Sequence, residues 1–271
     1  MAEELLSVKN LSVSFRMYQG SLTHTLVTGM HNVNLQVGCG EILAVVGASG
    51  SGKSLLAHAV LGILPYNAVM QGELYYRGTV LDAPRQEALR GREMALIPQS
   101  VTYLDPLMRV GREVCGLYGA PRDMAATFRR LHLEERVQHL YPFQLSGGMA
   151  RRVLFSTAVI TDAALIIADE PTPGMDVKSA VAALHLLREL ADAGKGVLLI
   201  THDIDLAVEV ADTVAVFYEG RTVDSVPAGA FRGDGSALAH PYTQALYHAL
   251  PQNGFRCYTA DEVQTMTAGG A

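Results

Sequence analysis

The chain has 271 residues, of which 49% are hydrophobic and 18% charged, a balance typical of one compact domain with at most a subdomain. Its net charge of −6 disfavours a nucleic-acid-binding surface, which needs clustered Lys and Arg. The sequence has no run of about 18 apolar residues, the length that would predict a membrane span. The N-terminus (residues 1–4) carries two glutamates and lacks the basic residues that begin a secretory signal. We therefore expect a cytosolic protein that can dock on a membrane partner.

Strand patterns dominate the first part of the chain. Residues 8–15 and 33–37 alternate as half-buried strands do, and residues 41–46 are typical of a buried strand. A helix is predicted over residues 53–64, ending near Gly62 and Pro65. Residues 72–76 and 94–97 are predicted as two further short strands.

A glycine-rich loop joins the predicted strand 41–46 to the predicted helix. It consists of Gly47, Ala48, Ser49, Gly50, Ser51, Gly52, Lys53 and Ser54 and fits the phosphate-loop pattern G-x-x-x-x-G-K-S/T. In such a loop, backbone N–H groups and a helix N-terminus form an anion site. A chance match is on the order of a percent or two for a chain of this length. We therefore predict a nucleoside triphosphate site, with Lys53 at the β- and γ-phosphates and Ser54 on Mg²⁺.

Strand signals vanish between residues 102 and 160, where segments 124–133 and 149–160 are predicted as helices. Strands and helices then alternate: strands over 164–168, 196–200 and 213–218, helices over 177–193 and 204–211. This alternation predicts an α/β fold with a parallel sheet, interrupted by a helical subdomain at about 102–160. We expect a main domain over 1–225 and an extension over 226–271, with one helix at 241–250 and a disordered tail at 259–271.

Two carboxylates follow the predicted strand 164–168. Parallel sheets place ligands at the carboxyl ends of their strands, so Asp169 and Glu170 should lie beside the phosphate loop. Successive strand residues point in opposite directions, so the two acids can have separate roles. Asp169 would hold Mg²⁺, and Glu170 would orient and polarise the attacking water. The alternative is that both acids merely end a strand in a turn.

Three further features lie at predicted strand ends or helix starts. His202 follows the strand 196–200 and could bind the γ-phosphate, although a histidine at a strand end is more often structural. Gln99 follows the strand 94–97 and could sense a water or the Mg²⁺ shell, but alone it indicates nothing. Ser146, Gly147 and Gly148 form a second anion-binding helix N-terminus, with simple capping by Ser146 as the alternative.

In order and spacing, five motifs resemble those of ABC transporter ATP-binding subunits, over about four-fifths of the chain. They are the phosphate loop, Gln99, the Leu-Ser-Gly-Gly motif at 145–148, the strand ending in Asp169-Glu170, and Thr201-His202-Asp203. The resemblance implies a RecA-like P-loop NTPase core with an N-terminal antiparallel β part. It also implies ATP and Mg²⁺ as ligands, and a head-to-tail dimer with ATP between the subunits.

The resemblance also assigns residues to that dimer. It implies that Ser146, Gly147 and Gly148 contact the ATP of the opposite subunit, and that Asp176 is the D-loop aspartate at the interface. It implies that Phe15 stacks on adenine, with Tyr18 as the reserve candidate and a core role for Phe15 as the alternative. Residues 100–109 resemble the surface that receives a permease helix, so the protein is expected at the cytoplasmic face of the membrane.

Two positions depart from the family pattern. Met149 directly follows the Leu-Ser-Gly-Gly motif at 145–148 (the signature motif of the family), where Gln is usual. One polar contact with the nucleotide of the opposite subunit is therefore expected to be lost. Gly174 and Met175 stand where Ala and Leu are typical, and Gly174 could loosen the D-loop. Both departures favour unequal sites in a heterodimer.

The C-terminal residues resemble one branch of the family. Residues 240–246 and 250–251 are similar to the extension of oligopeptide, dipeptide and nickel importers. Residues 141–144, which precede a signature ending in Met149, and residues 61–65 lean towards the nickel type. The resemblance implies a second ATPase subunit, two permease subunits and an extracytoplasmic substrate-binding protein as partners. With Cys257 as the only cysteine in this region, an iron–sulfur centre is not expected.

The sequence favours an importer ATPase for peptide, nickel or a metal chelate over three other classes. A soluble ABC ATPase of DNA or ribosome maintenance usually needs coiled-coil insertions or two tandem cassettes. A P-loop kinase needs neither the Ser146 loop nor the pair Glu170 and His202. An ABC exporter subunit remains an alternative, because only the C-terminal resemblance argues for import. Cys39, Cys115 and Cys257 are expected to be reduced thiols.

Overall fold

The computed structural model describes residues 3–19, 23–116, 121–256, 258–259 and 262–263. The strands are β1 Glu4–Gln19, β2 Thr23–Gly38, β3 Ile42–Gly47, β4 Ala68–Tyr76, β5 Thr79–Val80, β6 Met94–Ile97, β7 Leu165–Asp169, β8 Gly196–Thr201, β9 Thr213–Tyr218 and β10 Arg221–Pro227. The α-helices are α1 Lys53–Leu61, α2 Ala83–Leu89, α3 Val110–Cys115, α4 Pro121–Arg130, α5 Gly147–Val159, α6 Val177–Asp192, α7 Ile204–Val210 and α8 Pro241–Ala249.

The larger sheet has the strand order β10-β9-β3-β8-β7-β6. Strands β9, β3, β8, β7 and β6 are parallel, and β10 adds antiparallel at the edge. Every residue of β3, β7 and β8 is buried, as expected of strands that helices or a second sheet cover on both faces. The predicted α/β fold with a parallel core is therefore confirmed.

The smaller sheet is antiparallel, with the order β2-β1-β4-β5. Its strands β1 and β2 are 16 residues each, much longer than the predicted segments 8–15 and 33–37. The sequence underestimates them because their pairing shifts register repeatedly around Leu11 and Val13, which interrupts the period of two. This sheet is the N-terminal antiparallel part that the family resemblance implied.

Two hydrophobic clusters lie on opposite faces of the parallel sheet. Leu43 and Val45 of β3 face the cluster formed with β1, β2 and α1. Ala44 and Val46 face the cluster formed with α5, α6, α7 and the C-terminal helix α8. Helix α1 packs in the first of these clusters, and the phosphate loop joins its start to the carboxyl end of β3.

Most predicted helices are observed within a few residues of their expected bounds. Helix α1 is shorter than 53–64 because Gly62 takes a left-handed conformation (φ 66°) directly after Leu61 and ends it. The segment 102–160 contains α3, α4 and α5 with short 3-10 turns between them. Helices α2 and α3 and strands β5 and β10 are not among the predicted elements, since none of them shows a long periodic pattern.

The end of the chain is described in part. Helix α8 corresponds to the helix predicted at 241–250. Of the tail 259–271, the structure describes only Thr259, Glu262 and Val263, and the rest, like Cys257, lies outside the described residues. Cys39 and Cys115 are free thiols. Among the described helices, none combines the length and apolar character needed to cross a bilayer.

Candidate nucleotide site

The predicted site residues meet where β3, β7 and β8 end. The parallel register aligns Val46 with Thr201 and Asp169 with Ile200, so the segments that follow these strands emerge side by side. An open cleft of about 380 Å³ lies at these strand ends. It is lined by Phe15, Gly29, Ser49, Gly50, Gly52, Lys53, Ser54, Leu55, Gln99 and Glu170. The structure thus brings the phosphate loop, Gln99, Glu170 and Phe15 into one cleft.

The phosphate loop needs glycine at its two ends. A Cβ on Gly47 (φ 153°) would lie 2.2 Å from the carbonyl oxygen of Phe217. A Cβ on Gly52 (φ 92°) would lie 2.8 Å from the carbonyl oxygen of Gly29. Gly50, also with positive φ, has no atom within 4 Å of such a Cβ. The loop is therefore packed at its root and open at its tip, as a cradle for phosphates requires.

Lys53 lies under this loop and is 5% exposed. Its Nζ donates hydrogen bonds to the carbonyl oxygens of Gly47 (2.8 Å) and Ala48 (2.9 Å). Burial lowers the pKa of Lys53, while the nearby carboxylates of Glu170 and Asp169 act to raise it. The ammonium group is thus held within the loop, where an incoming phosphate can replace the carbonyl oxygens as its partner.

Ser54 and Asp169, the two residues predicted to hold Mg²⁺, are hydrogen-bonded to each other. The Ser54 hydroxyl donates to Asp169 Oδ1 at 2.9 Å, and Asp169 is buried. Burial raises the pKa of Asp169, and the hydrogen bond from Ser54 opposes that rise. Hydroxyl, carboxylate and amide oxygens suit Mg²⁺, and the Gln99 side chain lines the same cleft. The buried Ser51 hydroxyl has no partner among the described residues, as expected where a bound group would supply one.

Glu170 is 6% exposed and has a positive φ of 45°. Its backbone N–H donates to the carbonyl oxygen of Ile200 at 2.8 Å, which ties β7 to β8 at their ends. Its Oε2 lies 2.8 Å from Nδ1 of His202 and 3.5 Å from the Thr201 hydroxyl. The structure therefore pairs His202 directly with the candidate base.

The Ser146 motif does not line the cleft of its own chain. Ser146 caps α5 by accepting a hydrogen bond from the Met149 N–H at 3.3 Å, and Ser146 and Gly147 are exposed. A Cβ on Gly148 would lie 4.0 Å from the carbonyl oxygen of Gly174. The motif and the D-loop thus adjoin on one surface, separate from the phosphate loop.

The D-loop is a tight turn followed by a capped helix. The Met175 N–H donates to the Thr172 carbonyl at 3.1 Å, and Gly174 has a φ of 80°. Pro followed by Gly with positive φ is typical of a type II turn, so Gly174 defines the turn rather than loosening it. Asp176 caps α6 through the Ser179 N–H and hydroxyl, which lower the pKa of Asp176.

Phe15 lies on β1 with one side towards the core and the other towards the cleft. It packs against the cluster below the antiparallel sheet, and its ring edge would lie 3.0 Å from a Cβ on Gly29. Tyr18, the reserve candidate, is far more exposed and does not line the cleft. The position of Phe15 is compatible with both the stacking role and the core role.

Arg151 adjoins this site, although no motif in the sequence identifies it. This buried side chain on α5 donates through Nη1 to the carbonyl oxygens of Pro98 (3.1 Å) and Gln99. Burial lowers the pKa of Arg151. It ties the helix that carries the Ser146 motif to the segment that carries Gln99. The one feature of the sequence that could have identified Arg151 is its charge. Arg151 lies shortly after the Leu-Ser-Gly-Gly motif, in a helix whose later residues are mostly apolar.

The surface expected to receive a permease helix lies on the neighbouring helical part. Residues 100–109 form a short 3-10 turn at Val101–Tyr103 followed by a loop. Tyr103 and Leu107 of this segment expose large apolar side chains, as does Phe143 of the turn Pro142–Gln144. Singly exposed apolar residues are common on protein surfaces, so these positions mark a candidate surface only.

Comparisons with known proteins agree with this geometry. A family model described as ABC transporter matches residues 30–173. The uncharacterized ABC transporter ATP-binding protein YejF of Escherichia coli is 38% identical over 269 residues, covering 93% of this chain and 49% of YejF. The dipeptide transport ATP-binding protein DppD of Lactococcus lactis is 36% identical over 270 residues, covering 93% of this chain and 75% of DppD. The chain thus spans about half of one relative and three-quarters of the other.

A solved structure shares the architecture. The dimeric ATP-binding cassette MJ0796, in a post-hydrolysis state bound to ADP and Pi, matches with a TM-score of 0.72 and 26% identity. The match covers 83% of this chain and 99% of that cassette. The predicted P-loop NTPase fold is confirmed by this likeness together with the sheet topology.

Proposed function

We propose that this chain, which belongs to the ABC transporter ATP-binding family, is the ATP-hydrolysing subunit of an importer that takes up small peptides through partner permeases. The dipeptide-transport name of one relative supports peptide cargo. The resemblance of residues 240–246 extends the candidates to nickel or a metal chelate. Peptide is the first cargo to test.

One observation carries the proposal. Lys53, Ser54 and Glu170 line a single cleft at the ends of β3 and β7. Asp169 and His202 adjoin it through their hydrogen bonds with Ser54 and Glu170. These groups supply an anion cradle, oxygen ligands for a divalent cation and a carboxylate base. Phosphoryl transfer to water needs these three parts, since its catalysis is mainly positioning and charge stabilisation.

The chain's own residues would act as follows. Loop N–H groups and Lys53 bind the phosphates of ATP, while Ser54, Asp169 and Gln99 would hold Mg²⁺. Mg²⁺, when bound, neutralises charge on the phosphates. Glu170 orients a water and accepts its proton as the water oxygen bonds to the γ-phosphorus and the bond to ADP breaks. His202 holds the Glu170 carboxylate in place.

The exposed Ser146 motif supports a two-chain site. Ser146 and Gly147 lie on a surface apart from the phosphate loop of the same chain, so they are free to meet the nucleotide of a second subunit. We infer a head-to-tail dimer, with Asp176 at its interface, that ATP closes and hydrolysis reopens. The second subunit would be similar to this chain but not identical. The dimer would bind peripherally to two permease subunits, to which a substrate-binding protein delivers the substrate.

Purification from native membranes tests this proposal. The tagged chain is expected to bring down a pair of multi-span permeases and to show Mg²⁺-dependent ATP turnover that Lys53→Ala removes. Turnover unaffected by Lys53→Ala would refute the assigned site. Recovery of a folded chain without permeases, under conditions that keep known transporters assembled, would refute the transport role.

A further inference from the structure

The C-terminal helix α8 contacts the phosphate loop directly. The hydroxyl of Tyr242 accepts a hydrogen bond from the backbone N–H of Ala48 at 3.3 Å, across 194 residues of sequence. Ala48 is the second residue of the phosphate loop, and Tyr242 is on the first turn of α8. A residue outside the expected ATP-binding domain therefore touches the nucleotide site.

We propose that Tyr242 is a positioning residue for the phosphate loop, so that the C-terminal extension sets the affinity of this site for nucleotide. The inference rests on the proposed function, because it assumes that the loop binds ATP. It assigns a role to the C-terminal helix that none of the five motifs supplies.

Tyr242 is held rigidly in this position. It is 6% exposed, and its ring centroid lies 4.2 Å from that of Tyr218, with an interplanar angle of 36°. Burial raises the pKa of Tyr242, while the hydrogen bond from Ala48 acts to lower it. The His240 side chain caps α8 by accepting from the Tyr242 N–H at 3.2 Å. The hydroxyl therefore has a fixed place from which to contact the loop.

The root of the loop rests on the same strand end as Tyr242. Strand β9 pairs Phe217 with Gly47, and the close approach at Gly47 leaves no room for a side chain. The next residue of β9, Tyr218, carries the ring that packs on Tyr242. The end of β9 thus joins the loop and α8, and a shift of α8 would be felt at Ala48.

The contact also differs from the other bonds that hold Ala48. The Ala48 carbonyl accepts from Lys53 Nζ (2.9 Å) and from the Ser51 N–H (3.2 Å). Lys53 must turn towards phosphate when ATP binds, which weakens its hold on this carbonyl. The bond from Ala48 to Tyr242 does not involve Lys53, so it can keep the loop ordered during that exchange. Losing it would add an ordering cost to ATP binding.

A matched pair of variants separates positioning from folding. Tyr242→Phe removes the hydroxyl and keeps the ring that packs on Tyr218. Tyr247→Phe is the control: it lies on the same helix, is equally buried at 6% exposure, and donates from its hydroxyl to the Gly233 carbonyl at 2.6 Å. Each variant loses one neutral hydrogen bond, but only the first loses a contact with the phosphate loop.

Two measurements on the full chain decide the inference. Calorimetric titration with ATP and Mg²⁺ should show affinity lowered about two- to tenfold by Tyr242→Phe and unchanged by Tyr247→Phe, as expected for one neutral hydrogen bond. Without nucleotide, amide hydrogen exchange at residues 47–54 should quicken only in Tyr242→Phe. Equal affinity and equal loop exchange in Tyr242→Phe and wild type, or equal losses in both variants, would overturn the inference.

The same experiment distinguishes this inference from the proposed function. If the wild-type chain did not bind ATP, the proposed function would fall, and the exchange of the nucleotide-free loop would still decide whether Tyr242 orders it. If the wild type bound ATP and Tyr242→Phe bound it equally with an unchanged loop, only the role of Tyr242 would fall.

Discussion

Glu170 Oε2 and His202 Nδ1 lie 2.8 Å apart, where the neighbouring strands β7 and β8 end. The carboxylate is almost fully buried, whereas the imidazole is exposed. The pair therefore has a buried base on one side and a solvent-facing partner on the other. This arrangement makes His202 a positioning residue for Glu170 as well as a candidate phosphate ligand.

His202→Ala is expected to lower kcat for ATP hydrolysis by about 10- to 100-fold. This is less than the roughly 10²- to 10⁴-fold that a positioned acid–base group itself supplies, because Glu170 remains and loses only its partner. The Kd for ATP should stay within about threefold of wild type, since phosphate binding rests mainly on the loop and Lys53. His185→Ala, an exposed histidine on α6, is the control. Steady-state kinetics with separate binding measurements would contradict the account if kcat were unchanged.

Asp169→Asn separates metal binding from stability. The folded pKa of Asp169 is raised by burial, so the ionised carboxylate destabilises the nucleotide-free protein at neutral pH. The folded state then binds the proton more tightly than the unfolded state, and the wild type gains stability as the pH falls through the folded pKa.

We therefore expect Asp169→Asn to unfold at or above the wild-type temperature at pH 7, an advantage that shrinks at acidic pH. Its Mg²⁺-dependent turnover should fall at least about 100-fold, since the cation loses its charged ligand. Calorimetry from pH 4 to 8 with kinetics checks both. A variant that was less stable than wild type at pH 7, or that turned over ATP normally, would show that the carboxylate has another role.

The catalytic part of the site could be predicted from sequence because its residues lie next to strand ends. A phosphate loop after one strand, Asp169 and Glu170 after a second, and His202 after a third must meet once the strands are parallel. The contact between Glu170 and His202 themselves was not predicted, because it depends on side-chain direction and on the positive φ of Glu170.

Ser146→Asp tests the two-chain site independently of helix capping. Asp is as good an N-cap as Ser, so α5 should keep its cap, whereas Ser146→Ala should cost about 1 kcal/mol of stability. The added carboxylate would face the triphosphate of the opposite subunit, so ATP-dependent dimerisation should be lost in Ser146→Asp. Light scattering with and without ATP measures this. A Ser146→Asp protein that still dimerised with ATP would exclude Ser146 from the nucleotide interface.

Gly174→Ala tests the D-loop turn. An L-residue at a φ of 80° costs about 1–2 kcal/mol, so the free energy of unfolding should fall by that amount. Gly229→Ala is the control, because Gly229 lacks a positive φ and has open space around it. Urea denaturation compares the two. Equal stabilities would mean that the turn tolerates the residue that the family pattern usually has.

Two long-range contacts, those of Arg151 and Tyr242, could not be predicted from the sequence because each involves a backbone group. Arg151 reaches Gln99 across 52 residues, and Tyr242 reaches Ala48 across 194. Each joins a side chain to a backbone group, which has no residue type to signal it. Local patterns identify elements and motifs, whereas such long-range bonds follow only from how the elements pack.

Glu170→Gln is the sharpest test of Glu170 as the base for ATP hydrolysis. It removes the base and keeps the shape of the side chain, so ATP should still bind and close the dimer. We expect turnover to be abolished while a dimer accumulates with ATP but not with ADP. Light scattering alongside phosphate release measures both. ATP hydrolysis by Glu170→Gln at the wild-type rate would contradict this role of Glu170.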